Sequence, residues 1–282
     1  MRNVIITGAN GQDGAFLTTL LRHYQMEPVL VSSHSGVNLA DAAVVSGLVE
    51  DVKPEFIFHL AAKSTVSHDA ARQNHYLFAN GTMNLLEAVR SHVPECRVFL
   101  AGSAYQFKND GKPIKETDPW ETRSVYTAAR GYGNLLARAY RHMGLHVYFG
   151  YFFHHDSPRR HARHISSRIA AAAREGKDVE IGNMDVVKEW TWAGDTVQAV
   201  WSLVNQDAVW EANIGTGIGH SIAEFASACY AARGLNYLDY VRPRADFEPE
   251  YSRLTCDPSR IHSTGWRPLR DLNYLAEQMV NV

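Results

Sequence analysis

Tyr126 and Arg130 stand four residues apart in Tyr126-Thr127-Ala128-Ala129-Arg130, on a stretch that reads as helix from about Ser124. That spacing places a phenol and a cation on one helical face, where the pair by itself is an ordinary surface contact. Ser103 closes the apolar run Arg97-Val98-Phe99-Leu100-Ala101-Gly102, and as a lone serine it reads as a turn hydroxyl. Near the start, Val4-Ile5-Ile6 runs into Thr7-Gly8-x-x-Gly11-x-x-Gly14 and then into the helical Ala15–Leu21. Strand, glycine turn and helix in this order suit a pyrophosphate. Gly8 permits the turn, Gly11 lets the backbone approach, Gly14 packs helix on strand, and the helix N-terminus attracts the charge. Glycine turn, strand-end serine and phenol–cation pair together form a conjunction that chance rarely produces.

These groups need a scaffold that brings them to one edge. Pro28–Ser33 reads as a second buried strand, and Glu55–Ala62 is a continuous apolar run of the kind a strand covered on both faces requires. Asn38 is the expected N-cap of a helix to about Val52, a second helix is expected from about Ala70 to His92, and Arg97–Ser103 is a further strand. Alternating strands and helices give an α/β fold, a Rossmann-type doubly wound parallel sheet. Ligands in such sheets lie beyond the carboxyl ends of the strands, which delivers Ser103 to the reactive rim. The second strand ends in Ser32, Ser33 and His34 with no acid. That absence leans towards NADP(H) over NAD(H), because an acid there would bind the ribose of NAD.

Composition narrows the class. With 45% hydrophobic and 21% charged residues and a net charge of −2, the 282-residue chain is an ordinary globular protein with no global affinity for nucleic acid. No apolar run approaches a bilayer span and the chain enters a strand at once, so a cytoplasmic protein without a signal peptide is expected. Cys96, Cys229 and Cys256 are odd in number and widely spaced, which suggests neither disulfides nor zinc. His154, His155, His161, His164 and Asp156 cluster in sequence, but no pair shows a compact ligand spacing, and no metal is expected.

The chain resembles the extended short-chain dehydrogenase/reductase family, in its nucleotide-sugar branch. The resemblance rests on the glycine turn, His59-Leu60-Ala61-Ala62, Asn80-Gly81-Thr82, Ser103, Tyr126, Ser157-Pro158-Arg159-Arg160, Ile181-Gly182-Asn183, Asp195 and Gly265-Trp266-Arg267-Pro268. Gly11–Gly14 and His155–Arg160 are similar to GDP-mannose 4,6-dehydratases, while Lys53–Ser64 and Ser263–Trp266 are closer to GDP-4-keto-6-deoxy-mannose reductases. A GDP-linked sugar is the implied substrate. The resemblance implies a dinucleotide-binding domain of 1–150 and 193–217, covered by a nucleotide-sugar lobe of 151–192 and 218–282. It implies cofactor contacts from Gly8, Asn10, Gly11, Gln12, Asp13, Gly14, Ser33, His34, Asn38, Leu39, Leu60, Ala61, Ala62, Lys63, Asn80, Tyr126 and Arg130. It implies sugar-nucleotide contacts from Ser64, Ser103, Tyr105, His154, Arg159, Arg160, Lys188 and Arg242. Relatives also pair through two helices equivalent to 70–92 and 124–142, so a homodimer is expected, with Leu77, Leu86, Leu135 and Tyr140 on the outer faces.

Three departures from the family pattern bear on the reaction. Arg130 replaces a lysine that lowers the pKa of the phenol and bonds the nicotinamide ribose. A unit charge at about 4 Å contributes roughly 4 kcal/mol at an effective dielectric near 20, so arginine supplies the electrostatic part. As a planar fork it is a poorer compact donor. Tyr105 replaces the glutamate of the dehydratases, and a phenol is a poor base for removing a sugar proton. His154 replaces a substrate-contacting asparagine, and Lys188-Glu189-Trp190 replaces an arginine-aspartate-aromatic run. The implied function is an NAD(P)-dependent oxidoreductase of a nucleotide sugar, reducing a GDP-4-keto(-6-deoxy) sugar. Ser103, Tyr126 and Arg130 are then its catalytic residues. A GDP-sugar 4,6-dehydratase or epimerase is one alternative, and a low-activity or non-catalytic binding paralogue is another.

Overall fold

The computed structural model describes residues 3–61, 72, 75–244 and 246–282. Of the expected site residues, Ala62, Lys63 and Ser64 lie outside these, as does the start of the helix expected from Ala70. The centre is a six-stranded sheet in the order Glu211–Ile214, His146–Phe152, Arg97–Ser103, Phe56–His59, Val4–Thr7, Pro28–Val31, and every neighbouring pair is parallel. Side chains alternate between its two faces, as the period of a strand dictates. Ile5, Ile57, Val98, Leu100, Val147 and Phe149 enter one core, and Val4, Ile6, Phe56, Phe58, Phe99 and Tyr148 enter the other. Both faces of the inner strands are covered, which explains why they read as unbroken apolar runs. On the edge strand Pro28–Val31 the side chains of Val29 and Leu30 are exposed, so the second strand is not the buried one expected.

The helices Ala42–Val52, Gly81–His92 and Val125–His142 supply the first core, and Gln12–His23 and Ala193–Val204 the second. A third core is built from Ile165–Glu175, Ile222–Ala231 and Leu272–Val280. Leu254 and Cys256 enter the first sheet core and Ile261 and Trp266 the second, so part of 218–282 packs on the sheet. Trp266 is held there by its indole N–H, which donates to the Asp195 carbonyl at 3.1 Å. The Asp195 carboxylate accepts from the backbone N–H groups of Leu269 and Arg270. Two residues read as family marks are therefore partners in one lock.

Several expected boundaries shift. The second strand ends at Val31, and Asn38 is not the helix cap: its side chain accepts from Ala40 N–H in a turn, while Asp41 caps the helix through Ala43 and Val44 N–H. The chain before Gly81 is a π-helix over His75–Asn80, and the regular helix begins only at Gly81. Leu86 and Tyr140, expected on outer faces, are buried in the first core. Sequence spacing fixes which residues share a helical face, but the sheet decides which face turns inward.

Candidate active site

Two cavities meet along the carboxyl ends of the sheet strands. One, of about 540 Å³, is walled by Gly8, Asn10, Gly11, Gln12, Asp13 and Gly14, then by Ser32, Ser33, Leu39, Leu60 and Ala61. The other, of about 350 Å³, holds Ser103, Tyr105, Tyr126, Arg130, His154, Arg160 and Lys188. Leu60, Asp13, Arg160 and His164 line both, so the cavities share a wall.

The first cavity is shaped for a dinucleotide. Gly8 has φ +76° and a Cβ there would sit 2.8 Å from Ala61 N, so a side-chain-free, left-handed residue is required. A Cβ on Gly14 would sit 2.6 Å from the Gly8 carbonyl oxygen, which is the close packing of helix on turn expected from the sequence. The helix Gln12–His23 then points its N-terminus into the cavity with Gly11 as an N-cap that makes no side-chain bond to the helix N–H groups. Those donors and the dipole fit a pyrophosphate.

Ser103 and Tyr126 are positioned by caps. Ser103 is the N-cap of the short helical turn Ala104–Gln106: its Oγ accepts from Tyr105 N–H at 3.3 Å, and Gln106 Oε1 accepts from Ser103 N–H at 2.8 Å. The turn-hydroxyl and rim-serine readings therefore hold together. With its oxygen occupied as acceptor, the hydroxyl proton is free to point into the cavity. Ser124 caps the helix Val125–His142 in a box with Thr127, which places Tyr126 in the first turn. Arg130 is almost fully buried, its Cζ 5.2 Å from the Tyr126 ring centre and 4.0 Å from that of Phe78. A terminal nitrogen donates to the Ala101 carbonyl. Arginine thus stands beside the phenol, as the spacing predicts, and is also built into the scaffold.

The floor of the second cavity is a polar cluster. His154 Nε2 lies 2.6 Å from one Asp156 oxygen, and Arg160 Nε lies 3.2 Å from the other. A second Arg160 nitrogen reaches His164 Nε2 at 3.2 Å. Burial holds His154 at a pKa of about 3 and His164 at about 4, so both rings are neutral at neutral pH. Asp156 lies well below the carboxylate range: burial opposes its charge, but His154 and Arg160 outweigh it. The fold does bring His154, Asp156 and His164 within 4.8 Å, closer than their sequence spacing suggests. Arg160 is already the cation of this group and engages two of the three donors.

Other expected residues fall elsewhere. Arg159 lines the first cavity and not the second. Arg242 turns away to donate to the Leu238 and Asp239 carbonyls. Asn80 lines a separate groove with Met83, Ala128 and Tyr132. His34 and Asn38 are exposed beside the first cavity without lining it. Glu189 faces inward, accepting from Cys256 and Thr216 N–H, and only Lys188 of its run reaches the cavity. Tyr251, Phe152, Phe153 and Leu254 complete the second cavity, and no motif in the sequence announces them.

The sequence model of a family described as GDP-mannose 4,6 dehydratase matches residues 32–279. The chain belongs to that family. It is 30% identical over 319 residues to GDP-mannose 4,6 dehydratase 2 of Arabidopsis thaliana, covering 98% of this chain and 85% of the relative. It is likewise 30% identical over 346 residues to GDP-mannose 4,6-dehydratase of Yersinia enterocolitica, with 99% and 93% covered. Among solved structures, UDP-glucose-4-epimerase from Stenotrophomonas maltophila, with bound NAD, superposes at a TM-score of 0.88 with 19% identity over 99% of this chain and 97% of that one. RMD from Pseudomonas aeruginosa, complexed with NADPH, superposes at 0.86 with 19% identity over 99% and 96%. The GDP-mannose 4,6-dehydratase family is thus carried here on the Rossmann-type sheet. Among the described residues, no helix is long and apolar enough to cross a membrane.

Proposed function

We propose that this member of the family is an NAD(P)(H)-dependent oxidoreductase of a nucleotide sugar, and that its reaction is reduction of a GDP-4-keto(-6-deoxy) sugar. The observation that carries the choice is the wall opposite Tyr126. At the position of the dehydratase glutamate stands Tyr105, and burial raises its pKa, so it stays protonated and is no base. The carboxyl group among the residues lining the cavity is Asp13, which His155 holds ionised and paired. Among the described residues lining the cavity, no unpaired carboxylate stands ready to remove a C5 proton, whereas carbonyl reduction does not require one.

When bound, a nicotinamide supplies the hydride. Tyr126 gives its proton to the sugar oxygen, and Ser103 donates a hydrogen bond to that oxygen as negative charge develops on it. Arg130 is the positive charge beside the phenol, its Cζ 5.2 Å from the ring centre. Arg160 and Lys188 face the sugar-nucleotide phosphates, while Arg159 faces the cofactor from the other cavity. Residues 1–150 and 193–217 hold the cofactor, and 151–192 and 218–282 hold the sugar nucleotide. NADP(H) is the favoured cofactor, supported by the acid-free end of the second strand at Ser32 and Ser33.

Dehydration is the second reading, favoured by the names of the curated relatives, which are GDP-mannose 4,6-dehydratases. Incubating the protein with GDP-mannose and with GDP-4-keto sugars, while following cofactor absorbance and product mass, separates the readings. Net cofactor oxidation supports reduction. Loss of water without net oxidation supports dehydration, and binding without product supports a non-catalytic paralogue.

A further inference from the structure

Asp13 lies in the first turn of the helix Gln12–His23, on the wall shared by the two cavities. A carboxylate at that point opposes the diphosphate that the same helix end attracts. His155 answers it. Its Nε2 lies 2.8 Å from Asp13 Oδ1, and its Nδ1 lies 2.7 Å from the Phe153 carbonyl oxygen. A carbonyl and a carboxylate only accept, so both ring nitrogens donate and the ring is an imidazolium. Burial works against both charges. Nevertheless Asp13 is held below its usual range by His155, and His155 is raised above its own by Asp13, with Arg160 pulling the other way.

Gln12 adds two further links: its amide donates to Asp13 Oδ1 at 3.2 Å, and its oxygen accepts from Ser157 Oγ at 2.8 Å. Residues 12–13 of the cofactor turn are thereby fastened to 153–157, the segment that carries His154 into the second cavity. His155 is buried and Asp13 partly so; the pair is 142 residues apart in sequence and spans the wall between the two ligands.

We propose that the protonated His155 is a positioning residue that clasps the cofactor turn to the sugar-binding segment, so that cofactor and nucleotide sugar bind with positive coupling. The inference rests on the proposed function for the identity of the two ligands. Whichever ligand binds first orders its side of the wall, and through the clasp it orders the other side, so the second ligand loses less conformational freedom. The groups facing His155 are Asp13 from the helix, Arg160 from the following loop and, beyond it, His164. Because the folded pKa of His155 is raised, the clasp is complete at lower pH and is lost as pH rises through that value.

The test is calorimetric titration of NADPH with and without saturating GDP, on the wild type, His155→Gln and Asp13→Asn, with a melting curve for each. In the wild type GDP should tighten NADPH by about fivefold or more, and the ratio should fall to near one in both variants, whatever the affinity of each variant for NADPH alone. Wild-type coupling should also fade as pH rises, whereas the variants stay flat. If His155→Gln does not fold, Asp13→Asn, which keeps an acceptor but loses the charge, carries the same comparison. A folded variant with wild-type coupling overturns the proposal, as does a wild type that binds both ligands independently. A wild type that binds NADPH but not GDP overturns the nucleotide reading and leaves the clasp no second ligand, which overturns it too.

Discussion

The hydroxyl of Tyr105 lies 3.3 Å from that of Tyr251, with the two rings edge to face at 6.1 Å. Tyr105 follows the strand Arg97–Ser103, and Tyr251 precedes the short strand Arg253–Leu254, so the pair bridges two segments at the mouth of the second cavity. Burial raises both phenols, so the pair offers protons and no base. Tyr105→Glu should therefore create dehydration of GDP-mannose where the wild type shows little. A gain of about a hundredfold in water loss, read by product mass, is the expected size for one added acid–base group. No gain in a folded variant would remove Tyr105 as the determinant.

Arg130 is held by the face of Phe78 and by the Ala101 carbonyl. Lysine at this position keeps the charge but loses the planar fork, so Arg130→Lys should lower stability by about 1–2 kcal/mol in denaturant unfolding. Turnover should hold or rise, because a compact ammonium is the better donor to a ribose. Turnover lost together with an unchanged stability would contradict both statements.

His59 is fully buried, with Nδ1 2.7 Å from Thr7 Oγ1 and its ring stacked on Phe78 at 5.2 Å. Burial, and then the charge of Arg130, depress its pKa to about 3. Below the unfolded value of about 6.5 the unfolded chain takes the proton first, so stability falls as pH drops from there towards the folded value. This single ring contributes a slope of about 1.4 kcal/mol per pH unit in that window. His59→Asn should remove that share of the slope in unfolding curves taken at several acid pH values. An unchanged slope would show that His59 is not buried neutral.

How much could be read in advance follows from how local each signal is. The glycine turn, the strand ending at Ser103 and the helix start near Ser124 depend on neighbours in sequence, and the structure places them as expected. Arg242 and Asn80 went astray because charge and motif do not reveal which way a side chain turns. Leu86 and Tyr140 misled for the same reason, their helices being rotated by packing on the sheet. The His155–Asp13 pair and Tyr251 join distant segments, and no periodicity or spacing encodes such a meeting.

The remaining exposed stripe supports association. Tyr132 and Leu135 on the helix Val125–His142 are 42% and 56% exposed, and Tyr76 on the neighbouring turn is 53% exposed. A groove of about 500 Å³ runs between these elements. An apolar surface of this kind needs cover, and we propose a second copy of the chain as that cover. Light scattering should give a dimer at micromolar concentration, and Leu135→Glu should shift it to monomer. A wild-type monomer would count against the pairing.

The most direct test is Tyr126→Phe, assayed for turnover of a GDP-4-keto-6-deoxy sugar with NADPH and for GDP affinity by calorimetry. The phenol acts in the transition state, so kcat should fall by about a hundredfold to ten-thousandfold while GDP affinity stays within about twofold. A folded Tyr126→Phe protein with undiminished turnover would contradict the assignment of Tyr126 as proton donor, and with it the reaction proposed for this cavity.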